Sequence, residues 1–379
     1  MKRIYFDYAA TTPTDPEVIK AMEPYYFEKF GNPSSPHSFG REAQKALEDS
    51  RQAVAGFIGA RSEEIVFNSG STEGLNQVIL GMAHALKEKG NHMIVSPLEH
   101  KSVLEPVYFL QKMGLRITYL RVDKEGNVDP EEVRRSLTSE TILIAVMHAN
   151  NEIGTLQPIA LIGEIARSKG IPFLVDAAQT IGHIPLDVQE LKADFLAFSA
   201  HKFYGPKGVG ALFVRKGMKV PPFILGGDQE RGLRSSTSNV SAIVGLAKAL
   251  LLCRGRLSEE MRDQFKLRDK LLTAIPKLID GVKINGPLTN RLPQNAHFAF
   301  EKVAGESLLM SLDMIGVAAS MGSACSSGAM EVSHVLRSIG LSDELALGAL
   351  RLTLGRWTKE EDVDFLLAEL PLIVKSLRI

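Results

Sequence analysis

Residues 141–180 read TILIAVMHANNEIGTLQPIALIGEIARSKGIPFLVDAAQT. TILIAVMH and IPFLVDA are short apolar runs rich in Ile, Val, Leu and Phe, without strict alternation. That is the pattern of strands covered on both faces. The stretch between them, PIALIGEIARSKG, reads as a helix. Strand, helix and strand in succession predict a parallel pair in an α/β layer.

The same alternation extends in both directions. Upstream, EEIVF is a strand, TEGLNQVILGMAHALKEKG a helix, NHMIVSP a strand, KSVLEPVYFLQKMG a helix and LRITYLRV a strand. DPEEVRRSL is a helix, with Asp129 as N-cap and Pro130 in its first turn. Downstream, DFLAFSA and GALFVRKG complete a mostly parallel, seven-stranded α/β sheet. The large domain is placed at residues 14–250. After it the character changes to a long charged helix, RLSEEMRDQFKLRDKLLTAI, and shorter strands such as NAHFAFEKV. A smaller α+β domain is expected from residues 1–13 and 251–379, and it would carry the loop around Cys325.

Composition narrows the function. The 379 residues are 45% hydrophobic and 23% charged, an ordinary globular balance. Forty-four basic residues face 44 acidic ones, and no basic run is interleaved with aromatics, so nucleic acid is not an expected partner. Two cysteines, Cys253 and Cys325, exclude a disulfide framework and a thiolate-rich zinc site. The nine histidines show no ligand spacing, so no metal is expected. No apolar run approaches the roughly 18 residues of a membrane span, and no apolar region follows the basic residues of MKRIYFDYAATT. A soluble protein of a reducing compartment, the cytoplasm, is the expectation.

In an open α/β sheet, ligands bind beyond the carboxyl ends of the strands. After EIVF comes NSGSTEGLN, whose small residues lead into a helix with Ser71 and Thr72 in its first turn. Free N–H groups and the helix dipole make this either an anion site or an ordinary capped helix. After MIVSP stands His100, which could stack on a flat ring or be structural. After ILIAVMH come Asn150 and Asn151, either ligand-binding amides or an Asx turn. Asp176 ends IPFLV, with Gln179 three residues on. A carboxylate there needs a cation or a donor, such as a protonated pyridine nitrogen or a helix N-terminus. After FLAF come Ser199, His201 and Lys202. A lysine directly behind a buried strand can capture an aldehyde, and its pKa falls as the ammonium is desolvated. The rival, Lys207, lies in Gly-Pro-Lys-Gly and reads as an exposed turn. Together these strand ends call for pyridoxal 5′-phosphate.

The stretches YFDYAATTP, GNPSSPHSFG, FNSGSTEGLN, EHKSV, MHANNEIGTLQPI, VDAAQTIGHIPLDV, FSAHKFYGPKGVGALFVR, GGDQERGLRSSTSNV, GSACSSG and RLTLGR carry a resemblance over nearly the whole chain. The chain resembles the cysteine desulfurases of the NifS/IscS kind, fold-type I enzymes that use pyridoxal 5′-phosphate. The resemblance implies that Lys202 bonds the cofactor's aldehyde and that Asp176 meets the pyridine nitrogen. Gln179 would bond the phenolic oxygen, and His100 would stack on the ring and shuttle protons. Ser71, Thr72, Ser199 and His201 would hold the phosphate, and Thr237 would reach the phosphate of a neighbouring subunit in a homodimer. Arg351 and Asn151 would bind the carboxylate of L-cysteine, with Asn151 also beside the cofactor. Cys325 would be the nucleophile that carries sulfur to an acceptor, such as an iron–sulfur scaffold protein.

The residues support Cys325 independently. It sits in MGSACSSGAM, a loop composition, whereas Cys253 lies in the apolar run ALLLC and reads as a small core residue. Arg351 competes with Arg337 and Arg356 on residue type alone. The alternatives are a selenocysteine lyase or other fold-type I enzyme, and a non-catalytic assembly platform of the same fold.

Overall fold

The computed structural model describes residues 3–322 and 332–378. In chain order its strands are β1 (Ile4–Tyr5), β2 (Ile65–Asn68), β3 (His92–Val95), β4 (Arg116–Tyr119), β5 (Thr141–Ala145), β6 (Phe173–Asp176), β7 (Phe195–Ser199), β8 (Gly210–Val214), β9 (Val282–Ile284), β10 (Asn295–Phe300), β11 (Val317–Ala318) and β12 (Ala349–Thr353). Seven of these form one sheet in the order β2-β8-β7-β6-β5-β3-β4. All its pairings are parallel except those of β8, which runs antiparallel to both β2 and β7. Because β8 is flanked by two strands that both oppose it, the carboxyl ends of β2 and β7 share the edge where β3, β5 and β6 also end.

The apolar runs that lack alternation are the ones covered on both faces. Every residue of β2, β3, β5, β6, β7 and β8 is buried. Edge strand β4 is only partly covered. One core cluster packs Ile144, Val175, Phe198 and Phe213 beneath one face, and another packs Val95, Leu143, Leu174 and Leu212 beneath the other.

The charged stretch after residue 250 is not a separate helix. One helix runs unbroken over Val240–Leu278, 39 residues. Its first part, with Leu246, Leu250 and Cys253, belongs to the large-sheet core. Its last part, with Leu267, Leu271 and Ile275, belongs to a second core with Phe298, Phe300, Leu350 and Leu352. That second core is built on the antiparallel sheet β12-β10-β9. Ile4 and Phe6 pack into it as well, and β1 pairs with β11. The N-terminal segment then bridges Asp7 to Thr353 of β12 and runs on across the edge of the large sheet.

Candidate active site

At the carboxyl edge of the large sheet lies a cavity of about 230 Å³. Asp176, the last residue of β6, and Lys202, in the turn after β7, both line it. Asp176 is buried, and its Oδ1 accepts the Ala178 N–H at 2.9 Å. The turn-capping and ligand readings of this carboxylate are therefore compatible, because its second oxygen is still available. Burial pushes its pKa up to about 6, against the pull of the Ala178 N–H and of Lys202.

The Lys202 ammonium donates to the carbonyls of Ala9 at 2.7 Å and Ala10 at 2.8 Å. Burial, then the charge of Arg351, pulls its pKa down to about 8, while Asp176 and Asp7 oppose the fall. An amine shifted this far is partly neutral near physiological pH and can act as a nucleophile or base. Lys207 is exposed, as its glycine-flanked turn requires.

His100 lines the cavity as the N-cap of the helix Lys101–Lys112. Its Nδ1 accepts the Ser102 N–H at 3.1 Å, which leaves the ring hydrogen on Nε2. Part of the ring is open to the cavity, yet its surroundings lower its pKa to about 4, by burial first and then the charge of Lys202. The ring is neutral, apolar on its faces, and carries one donor. Gln179 donates from Nε2 to the Ala9 carbonyl at 3.0 Å, so one amide hydrogen is left for a ligand.

The anion end is built where β2, β8 and β7 converge. Gly70 precedes the helix Ser71–Ala85 and, as a glycine, has no side chain to cap it. The Ser199 hydroxyl accepts the Ser71 N–H at 2.7 Å and donates to the Ser71 hydroxyl at 2.9 Å. Thr72 and His201 complete this end of the cavity, and the same three residues, Thr72, Ser199 and His201, border an adjoining space of about 450 Å³. His201 is paired with the Thr11 hydroxyl at 3.1 Å.

Of the two asparagines, Asn150 is the structural one: its Oδ1 caps the Glu152 and Ile153 N–H groups, each at 2.9 Å. Asn151 lines the cavity, and its carbonyl accepts from Arg351 Nη1 at 2.9 Å. Arg351, on β12, is 3% exposed and pairs through Nη2 with Asp7 at 2.7 Å. Thr237 is exposed and lines a different cavity, beside Asn68, Ser69 and Arg234, so it is not brought to the Lys202 site of its own chain. Cys325 lies outside the described residues. The described positions that flank its segment meet at a buried acid: the Ser333 hydroxyl donates to Glu152 at 2.6 Å, and a Cβ on Gly322 would lie 2.9 Å from the same carboxylate oxygen. Cys253 is fully buried, and desolvation pushes its thiol up to about 12, so it is no nucleophile at neutral pH.

The residues present fit pyridoxal phosphate. A desolvated amine, a buried carboxylate with a spare oxygen and a helix N-terminus flanked by hydroxyl groups surround one space. Sequence reasoning missed the carbonyls of Ala9 and Ala10, and it missed Asp7 and Glu99. Glu99 is 1% exposed and accepts the Met147 N–H at 2.6 Å, with burial raising its pKa well above the usual range. The signal for Asp7 was a carboxylate between the apolar residues of IYFDYAA, the same argument that found Asp176.

The aminotransferase class-V family matches residues 4–366 of the chain. A curated relative, cysteine desulfurase IscS of Dictyoglomus turgidum, is 52% identical over all 379 residues, covering 100% of this chain and 96% of its own length. The IscS of Methanosarcina thermophila is 48% identical over 377 residues, covering 100% of this chain and 93% of its own. Among solved structures, a NifS-like protein superposes with a TM-score of 0.93 at 38% identity, covering 99% of this chain and all of that one. SspA in complex with cysteine superposes at 0.83 with 36% identity, covering 93% of this chain and 99% of that one.

Proposed function

The chain belongs to the class-V aminotransferase family, among its cysteine desulfurases of the NifS/IscS kind, and on that premise we propose that it holds pyridoxal 5′-phosphate at Lys202 and passes the sulfur of L-cysteine to Cys325. The protein is a cysteine desulfurase with the fold of the fold-type I enzymes. L-alanine is the other product. The observation that carries the reading is that Lys202, whose ammonium donates to the Ala9 and Ala10 carbonyls, and the buried Asp176 line one cavity together with Ser71, Thr72 and Ser199.

When bound, pyridoxal phosphate supplies an aldehyde for amines and a ring that stores electrons once its nitrogen is protonated. Asp176 serves that nitrogen, because a buried carboxylate is stabilised by a cation at its free oxygen. Ser71, Thr72, Ser199 and His201 hold the phosphate, and Gln179 donates to the phenolic oxygen. The neutral His100, which lines the cavity, would lie beside the ring and offer its Nε2 hydrogen. Lys202 takes the substrate's α-hydrogen as a base. Arg351 and Asn151 orient the carboxylate. The Cys325 thiolate bonds to the substrate sulfur as the Cβ–S bond breaks with its electron pair left on carbon; one proton is then added at Cβ and Lys202 returns one at Cα, which gives L-alanine. The persulfide on Cys325 then goes to an acceptor protein, for iron–sulfur cluster assembly or other thio-cofactor synthesis. The working unit is a homodimer in the cytoplasm, in which the exposed Thr237 serves the neighbouring subunit's phosphate. Among the described residues no helix is long and apolar enough to cross a membrane.

The test is the visible spectrum of the purified protein with pyridoxal phosphate, followed by alanine and sulfide release from L-cysteine. Cys325→Ala is expected to keep the bound-cofactor absorbance and release no sulfide. Lys202→Ala is expected to lose the covalent chromophore. Sustained sulfide release by Cys325→Ala would refute the role given to that residue.

A further inference from the structure

Arg351 is already engaged on two sides. Nη2 holds Asp7 Oδ1 at 2.7 Å, and Nη1 donates to the carbonyls of Asn151 at 2.9 Å and Gly322 at 3.4 Å. Nε is buried and has no hydrogen-bond partner among the described residues. Among the described residues, Asp7 is the carboxylate in ion-pair contact with this guanidinium. The side chain of Arg351 is 4% exposed and that of Asp7 is 20% exposed. A cation this deeply enclosed needs a counter-ion, since removing its partner leaves an uncompensated buried charge.

We infer that Asp7 is the internal counter-ion that an amino acid's carboxylate displaces from Arg351, so that Asp7 sets the affinity of the site for carboxylate-bearing amines. This rests on the reading that Arg351 receives the substrate carboxylate. Two anions on one guanidinium repel each other, so arrival of the second weakens the hold on the first. Asp7 is the member that yields. It is the more exposed of the pair, and it makes one contact to Arg351, whereas Arg351 is also fixed by two main-chain carbonyls from separate segments. An amine without a carboxylate leaves the Asp7–Arg351 pair intact. The fit is like for like, one carboxylate exchanged for another.

The experiment compares dissociation constants of L-alanine and ethylamine by calorimetry on the cofactor-loaded protein. These ligands differ by the carboxylate and contain no sulfur. Asp7→Asn is expected to bind L-alanine at least fivefold more tightly than wild type, with ethylamine unchanged within twofold. Asp7→Glu, which keeps the charge, is expected to bind L-alanine within twofold of wild type. In an Arg351→Ala background, Asp7→Asn is expected to have no effect. Weaker or unchanged L-alanine binding in folded Asp7→Asn would overturn the inference, as would equal tightening of both ligands or tightening by Asp7→Glu. Asp7→Ser carries the same criteria should Asp7→Asn not yield folded holoenzyme. Failure of wild type to release sulfide from L-cysteine would instead sink the desulfurase reading and leave this comparison standing.

Discussion

The guanidinium of Arg356 lies 3.9 Å over the ring of Tyr204, and the Arg356 N–H donates to the Tyr204 hydroxyl at 2.7 Å. Tyr204 stands two residues after Lys202 and has a left-handed backbone, with φ at 66°. Arg356 follows β12, the strand that carries Arg351. The turn that carries Lys202 is thus clamped by the segment just beyond the substrate-side arginine.

Arg356 also pairs with Asp15 and Glu260, each at 2.6 Å, and both partners are largely enclosed. Arg356→Ala would leave Glu260 without this partner, loosen the hold on Asp15 and remove the stacking contact. Breaking a buried pair costs about 3–5 kcal/mol, and the lower end is expected because Arg256 still reaches Asp15 at 3.3 Å. Urea unfolding checks the loss. A cost below about 1 kcal/mol would show that the clamp is not stabilising.

Asp176→Asn separates cofactor binding from stability. The amide oxygen can still accept the Ala178 N–H, so the turn survives. Without the charge, pyridoxal phosphate affinity is expected to fall at least tenfold and desulfuration by two orders of magnitude or more. The stability of the cofactor-free protein should move the other way. The folded pKa of Asp176 is raised to about 6, so its contribution is complete below the ordinary carboxylate pKa and lost as pH rises through 6. At pH 8 the variant should be more stable by roughly 1–3 kcal/mol, and at pH 3 the difference should vanish. Thermal unfolding at the two pH values decides it.

Lys202 makes a kinetic prediction. With its pKa lowered to about 8, capture of added pyridoxal phosphate by the cofactor-free protein should accelerate with pH up to about 8 and level off above it. An unperturbed lysine would keep accelerating toward a pH of about 10. Arg351→Met removes one of the charges that lowers this pKa, so it should move the plateau upward. Stopped-flow absorbance against pH reads both effects.

Where residues follow apolar strands, their positions could be read directly. Asp176, Asn151 and Lys202 each come just after such a run, and the parallel sheet sends those ends to one edge. The Asp7–Arg351 pair could not be read that way, because its members are 344 positions apart and meet only when the N-terminal segment lies along β12. The helix Val240–Leu278 misled for another physical reason. Its two parts face different cores, so its apolar stripe changes partner midway and the charged part looks like a new beginning. The same kind of non-local packing leaves no room for a side chain at Gly210, which its strand, GALFV, does not announce.

Gly210 supplies the last test. It opens β8 and is paired with Asn68 on one side and Ser199 on the other. A Cβ there would lie 2.4 Å from the Phe198 carbonyl oxygen and 2.6 Å from Gly70 Cα. Both neighbours are backbone, so relief requires moving β7 or the turn that leads into Ser71. Either shift pulls the Ser71 N–H away from the Ser199 hydroxyl, which it now meets at 2.7 Å. Gly210→Ala is therefore expected to weaken pyridoxal phosphate binding more than tenfold, and overpacking should cost about 1–3 kcal/mol of stability. Inorganic phosphate should lose its competition with the cofactor in parallel, because the damage is confined to the anion end. Gly208→Ala is the control for strain without collision: its φ is 76° and nothing lies within 4 Å of its Cβ. That variant should lose stability of order 1 kcal/mol with a much smaller change in cofactor affinity. Equal losses of affinity in the two variants would mean that the cradle does not depend on the close approach of Gly70 to Gly210.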